Sequence, residues 1–466
     1  MRKRSNGGIK LEAKERHKRN VAKEIIELAW PSITEQMLIM TVGMVSTIFV
    51  GRISASAIAA VGMINSLIFF FQAIFSGLAT GSTVIVARLI GEEDEEGARL
   101  AVMQSLIMSI AIFIGLTTLG YIFAVPIVKT FFGSVSTDVF KLALMYYRIV
   151  LFGLPFVIID IIIGGALRGA GDTKTPMYIT ATVNVINLLL NSTLVFGVTY
   201  HGRYLIPPLG VKGSALSATI SRIIGGFLQL YVLYFGKRRI NLDIKEKIRL
   251  DFNMMMRIIR VGIPASLEQV IMQGGFLVMQ VIVSTMGTIA IAVYQIGMNA
   301  NSLAFMPIFG FSIAATSLVG RSLGAKHFML AEIYAKVSRN IAVIVISGIG
   351  VFMFIFSKQL AALYTTDPIV IKIASDIIKI FAVVEPLLAI LNVMAGVLRA
   401  AGDIPYIVLS AFIGLWLFRV TIGYTLGKVF GMGVYGIWIG ICIDFVVRSV
   451  MYSYRFKAGR WKYIKV

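Results

Sequence analysis

Ionisable side chains stand inside otherwise apolar stretches of this sequence, among them the acids Glu35, Asp160, Glu268 and Glu385 and the bases Arg222 and Arg419. A charge in such a place costs about 2.5–3.5 kcal/mol on membrane-insertion scales, so each one calls for a use. A carboxylate held away from water can alternate between protonated and ionised states. With amide oxygens nearby it can instead hold a sodium ion. Both are ways of coupling ion movement to other work. The competing reading is a permanent ion pair with Arg222 or Arg419 that only holds helices together. Glu268 lies eight residues after Arg260, roughly 12 Å deep along a helix, and Glu35 takes the equivalent place earlier in the chain. Asp160 precedes Arg168 by eight residues, and Glu385, just before Pro386, is fourteen from Arg399 and so lies deeper. Asp444, one turn from Arg448, reads as an i,i+4 ion pair.

Uncharged polar groups recur in the same stretches. Gln36, Asn65, Asn184, Asn191, Gln269, Tyr294, Asn299 and Asn301 are candidates to line a substrate cleft. Asn184, Asn187 and Asn191 follow helical spacing and share one face. The alternative for each is a hydrogen bond between helices, worth about 0.6 kcal/mol on average. The 22 methionines could supply an adaptable apolar pocket, although most suit plain packing. Hydrolytic chemistry has no carrier here. Gly236-Lys237 and Gly427-Lys428 lack the Ser or Thr of a phosphate loop, and HExxH, CxxC and G-x-S-x-G are missing. The expectation is therefore no enzyme, no cofactor and no bound metal, with uphill work driven by a Na+ or H+ gradient. Cys442 alone can form no internal disulfide and reads as a packing residue.

The elements that must position these groups are membrane helices. The chain is 58% hydrophobic and only 14% charged, outside the range of soluble domains. Twelve spans can be read, near 28–50, 61–87, 100–125, 141–166, 176–199, 211–235, 259–284, 290–317, 339–357, 373–397, 405–427 and 433–454. The basic start has no small-residue cleavage site and runs into a full-length span, so it does not read as a cleaved signal. A net charge of +21 raises the question of nucleic acid, but 32 of the 44 Lys and Arg fall in segments on one side of the twelve spans. By the positive-inside rule both termini are then cytoplasmic, in a cell (inner) membrane, and no nucleic-acid partner is implied. The acidic run at 92–96 reads as a solvated loop.

The chain is also written twice. GGALRGAGDTKTP at 164–176 returns as AGVLRAAGDIPY at 395–406, placing Arg168 and Asp172 on Arg399 and Asp403. WPSITEQ (30–36) matches IPASLEQ (263–269), and VARLIG (86–91) matches VGRSLG (319–324). This tandem duplication predicts an all-α protein of twelve transmembrane helices in two six-helix lobes, 25–235 and 258–456. A basic tail occupies 1–24, a cytoplasmic linker 236–257 and a second basic tail 457–466. An even number of helices per copy keeps both halves the same way up, with a cleft between them of the kind used in alternating access. Arg168 and Arg399 then read as anchors at the inner headgroups. Thr175 is expected to cap the helix after the first copy of the motif, and Asp403 the helix after the second.

These motifs resemble the multidrug and toxic compound extrusion (MATE) family of secondary transporters. The carriers are P…EQ on the first and seventh helices, AVYQIGMN with MPIFGFSIAATSLVGRSLGA at 292–325, and LRGAGDTKTP with LRAAGD. The resemblance spans roughly 25–455. It implies a twelve-helix, two-lobed antiporter that exports cationic or amphiphilic compounds in exchange for Na+ or H+, and places Glu268 at the family's cation site on the seventh helix. Two departures matter. The family commonly has Asp in a first-helix run like VDTIFVG, where this chain has Ser46, and a second acid on the fifth helix, where it has Asn191. Coupling then rests either on Glu35 and Asp160 or, the reading favoured, on Glu268 and Glu385. Expected partners are small cationic or amphiphilic substrates and membrane lipid, with a monomeric protein. Two other readings are a flippase of lipid-linked precursors and a non-transporting receptor or scaffold.

Overall fold

The computed structural model describes residues 5–132, 136–201, 203–236, 240–242 and 249–464. In the first half, α1 (Ser5–Gly51), α2 (Ala55–Gly91) and α3 (Glu95–Ile122) are followed by the short α4 (Ala124–Phe132). Then come α5 (Thr137–Leu151), α6 (Leu154–Gly169), α7 (Lys174–Phe196) and α8 (Val211–Phe235). Between α7 and α8 lies an antiparallel hairpin, β1 (Val198–Tyr200) and β2 (Arg203–Ile206), which the apolar pattern gave no reason to expect. The second half repeats the order as α9 (Phe252–Ser284), α10 (Thr288–Gly324), α11 (Phe328–Ile355), α12 (Ser357–Ala362), α13 (Pro368–Ala400) and α14 (Ile404–Phe412). α14 continues through π-helical turns at Ile413–Val420 and Thr425–Val429, on either side of α15 (Thr421–Tyr424), and α16 (Val434–Lys457) closes the repeat.

The duplication is visible in the helix lengths. α2 and α10 are both 37 residues long, and α3 and α11 are both 28. Gly171 and Gly402 end equivalent helices with φ of 89° and 80°, a left-handed turn that a residue with a Cβ enters only with strain. Among the described residues eleven helices are long and apolar enough to cross a membrane, and the α5–α6 pair makes a twelfth if taken as one span. That pair is bent by 49°, where Gly153 and Pro155 interrupt the backbone ladder; its counterpart α13 carries Pro386 and stays one helix. The first helix starts earlier than the sequence pattern suggests, α1 reaching back to Ser5, and its apolar spanning part begins at Asn20. Residues 1–4 of the expected tail, 237–239 and 243–248 of the expected linker, and 465–466 lie outside the described residues.

By contacts the chain forms two compact units that do not follow the two sequence halves strictly. The N-unit is Thr34–Val86 with Asp94–Ser266, and the C-unit is Met1–Ile33, Ala87–Glu93 and Leu267–Val466. Glycines accompany each exchanged segment. In the N-unit α9 lies so close to α2 that a Cβ on Gly81 would sit 2.6 Å from the Ile258 carbonyl. In the C-unit a Cβ on Gly310 of α10 would sit 2.7 Å from the Ala29 carbonyl of α1. Gly91 and Gly324 seal another crossing in the C-unit, each packed on the other helix's backbone at Arg321 and Arg88. A Gly91→Val substitution should destabilise the protein by about 1–3 kcal/mol through overpacking. A melting temperature in detergent unchanged from wild type would contradict that packing.

Arg88 shows how the C-unit is closed at the end of α13. Its guanidinium donates to the carbonyls of Ala401 at 2.7 Å, Ile464 at 3.0 Å and Ala400 at 3.3 Å. It thereby satisfies the end of α13, whose last carbonyls lack helical donors. The chain after α16 folds back as a 3₁₀ turn at Arg460–Tyr463, with Trp461 fully buried against Phe456. The terminal segment is thus packed structure and not merely a basic tail.

Candidate functional site

The repeated arginines are partnered within the protein. Each turns inward to the glutamate of its own unit. In the N-unit Arg168 Nη1 straddles the Glu35 carboxylate at 3.0 and 3.3 Å. In the C-unit Arg399 makes a two-nitrogen contact with Glu268 at 2.7 and 3.3 Å. Both glutamates are buried, and their arginines are only partly exposed. Each pair ties the first helix of a repeat to the LRGAGD or LRAAGD corner. The corner aspartates take different tasks. Asp172 accepts from the Thr175 N–H at 3.0 Å and hydroxyl at 2.6 Å, so it caps α7 and Thr175 is the donor, not the cap. Asp403 occupies the capping position of α14, but its carboxylate is taken by Arg455 at 2.6 Å.

Arg222 and Arg419 do not meet the four acids proposed for them. Arg419 pairs with Asp444 at 2.6 Å, and Asp444 also holds Arg448 at 2.6 and 2.8 Å. All three side chains are at most 3% exposed, and Arg419 lies over the rings of Phe276 and Phe445. The i,i+4 pair is therefore part of a buried triad built from α16 and the π-helical stretch after α14. That π geometry inserts an extra residue per turn, which the 3.6-residue pattern does not reveal. Arg222 forms no ion pair among the described residues.

The remaining acids differ sharply. Asp160 accepts a hydrogen bond from Gln229 Nε2 at 2.8 Å. Glu385 is fully buried, and neither of its carboxylate oxygens has a hydrogen-bond partner. Pro386 beside it removes the donor for the Ala382 carbonyl, and α11 comes close at Gly350, where a Cβ would lie 2.7 Å from that carbonyl and 3.5 Å from Glu385 Cβ. The result is a closely packed helix pair with an unpartnered carboxyl group between its elements.

A protein-family model described as MatE matches residues 31–193 and again 264–425, one copy in each half. The chain belongs to the MatE family. It is 31% identical over 444 residues to the probable multidrug resistance protein NorM of Thermotoga maritima, covering 95% of this chain and 93% of that one. It is 28% identical over 442 residues to the uncharacterized transporter YisQ of Bacillus subtilis, covering 94% of each. Among solved structures it shares the fold of one described as the outward-facing conformation of a multidrug resistance MATE family transporter of the MOP superfamily. The TM-score there is 0.85 at 22% identity, with 94% of this chain and 97% of that one covered. The chain is a multi-pass membrane transporter of the MatE family.

Ser46 and Asn191, the two positions marked in the sequence, meet in space. Ser46 donates to Asn187 Oδ1 at 3.4 Å and accepts from Asn191 Nδ2 at 3.2 Å, so a neutral network joins α1 to α7. Asn65 Oδ1 accepts from Tyr146 at 3.5 Å in the same unit. Asn184 Nδ2 has no partner. In the C-unit Asn301 is buried with its Oδ1 unpartnered, Tyr294 packs on Trp438 with ring centres 6.0 Å apart, and Asn299 is exposed. Gln36 and Gln269, next to the paired glutamates, are half-buried. Ser46→Ala should cost about 0.6 kcal/mol per hydrogen bond lost and leave ion-driven transport within about twofold of wild type. A changed ion requirement in a transport assay would contradict a purely structural role for Ser46.

Proposed function

We propose that this chain is an antiporter that exports amphiphilic or cationic compounds in exchange for protons, by alternating access of its two halves, with Glu385 as the proton carrier. The supporting observation is the Glu385 carboxyl group, fully buried with both oxygens unpartnered. An ionised carboxylate there would be an uncompensated charge, whereas a proton removes the charge without needing a partner. Glu268 and Glu35 are each held by an arginine, and Asp160 by Gln229, so they fit positioning better than carrying. The reading extends to a monomer in the cell (inner) membrane with both termini cytoplasmic, and to Na+ as the competing coupling ion. Several relatives are named multidrug resistance proteins, and drugs are taken here as the substrate class.

The test is ethidium transport in proteoliposomes with a proton gradient or a sodium gradient imposed separately. Uptake driven by the proton gradient alone supports the reading. Uptake driven by sodium alone contradicts the choice of ion, and no transport under either gradient favours the lipid-precursor flippase.

A further inference from the structure

Arg222 is a membrane-depth cation without an acid. It lies eleven residues into α8, roughly 16 Å along that helix. Its Nη1 is buried with no hydrogen-bond partner, and no carboxylate of the described residues pairs with it. The acids of the N-unit span are engaged elsewhere, Glu35 by Arg168 and Asp160 by Gln229. Its polar surroundings are the Tyr146 hydroxyl of α5 and, through that hydroxyl, Asn65 of α2. Asn65 accepts from Tyr146 through its oxygen, which leaves its NH₂ as a donor on the far side of that hydroxyl. Thr219, one turn before Arg222, donates to the Ile149 carbonyl and fixes α8 against α5.

A lone guanidinium at this depth is costly, and such groups mark a ligand pathway when no internal counter-ion accounts for them. Its planar fork fits a carboxylate in two-point contact, a geometry that lysine cannot supply. We propose that Arg222 is the binding group for a carboxylate carried by the transported amphiphile, so that zwitterions and amphiphilic acids bind in preference to plain cations, which are still accepted. This rests on the transporter reading and narrows its substrate class. The Tyr146 hydroxyl, bonded to Asn65, is the neutral polar group nearest to hand for the bound acid.

Two dyes with one chromophore test this: rhodamine 110, a free carboxylic acid, and rhodamine 123, its methyl ester. Binding to the purified full-length protein is followed by fluorescence polarisation. Wild type should bind the acid about tenfold more tightly than the ester, as one charge-assisted contact predicts. Arg222→Gln should bring the two affinities within about twofold of each other, chiefly by weakening the acid, and Arg222→Lys should keep part of the preference. If Arg222→Gln does not fold, wild type decides the matter, because acetate must displace the acid and spare the ester. Equal wild-type affinities, or no binding of either dye by protein that still transports ethidium, would overturn the carboxylate site and leave the transporter reading standing. Loss of ethidium transport under every gradient would strike that reading instead.

Discussion

Asp444→Asn should be among the most destabilising single substitutions in the C-unit. One carboxylate there balances two guanidinium groups, Arg419 at 2.6 Å and Arg448 at 2.6 Å, in a site where none of the three is more than 3% exposed. Removing one partner of a buried pair costs about 3–5 kcal/mol, because the other charge is left uncompensated. Here two would be left. The rings of Phe276 and Phe445, with centroids 5.3 and 5.1 Å from the Arg419 guanidinium carbon, soften the loss but cannot replace a counter-charge. Thermal unfolding in detergent should show a large drop in midpoint. Adding Arg419→Met to Asp444→Asn should recover part of it, since one of the stranded charges is then gone. A midpoint unchanged in the single variant would mean that water or lipid reaches the triad.

Reversing the Glu268–Arg399 pair should separate its structural role from any role in coupling. Glu268→Gln strands Arg399 and should cost about 3–5 kcal/mol along with nearly all transport. The charge swap, Glu268→Arg with Arg399→Glu, restores opposite charges at the same two positions. If the pair only fixes α9 to the LRAAGD corner, the swap should recover both the melting temperature and most of the transport rate. If Glu268 carries the ion, stability should return and transport should not. The present account predicts recovery of both, because the Arg399 contact engages both oxygens of the glutamate.

Much of this was legible in the sequence, for identifiable reasons. Apolar runs of spanning length and a repeat about half a chain long left little freedom for the fold, and α2 with α10 keeps the same length in both copies. The inward pairs could have been read too. Glu35 to Arg168 and Glu268 to Arg399 are separated by 133 and 131 residues, so an acid and a base were duplicated together. Reading each arginine alone as a headgroup anchor missed that. Other features left no such trace. The triad depends on π-helical winding after α14, which shifts Arg419 off the face that a regular helix would give it. The exchange of the early parts of α1 and α9 between units is accompanied by glycine approaches, at Gly81 and Gly310, that look in sequence like any other membrane glycine. That Glu385 has no partner, while Glu35 and Glu268 do, is a matter of packing, invisible in spacing alone.

The claim most exposed to test is that Glu385 carries the coupling proton. Proton release on adding ethidium to purified protein, read by an indicator dye in weak buffer, measures it without any membrane. The account predicts about one proton released per substrate bound by wild type and none by Glu385→Gln, with ethidium still bound by the variant. Equal release from both proteins would contradict it and move the proton to another acid, Asp160 first.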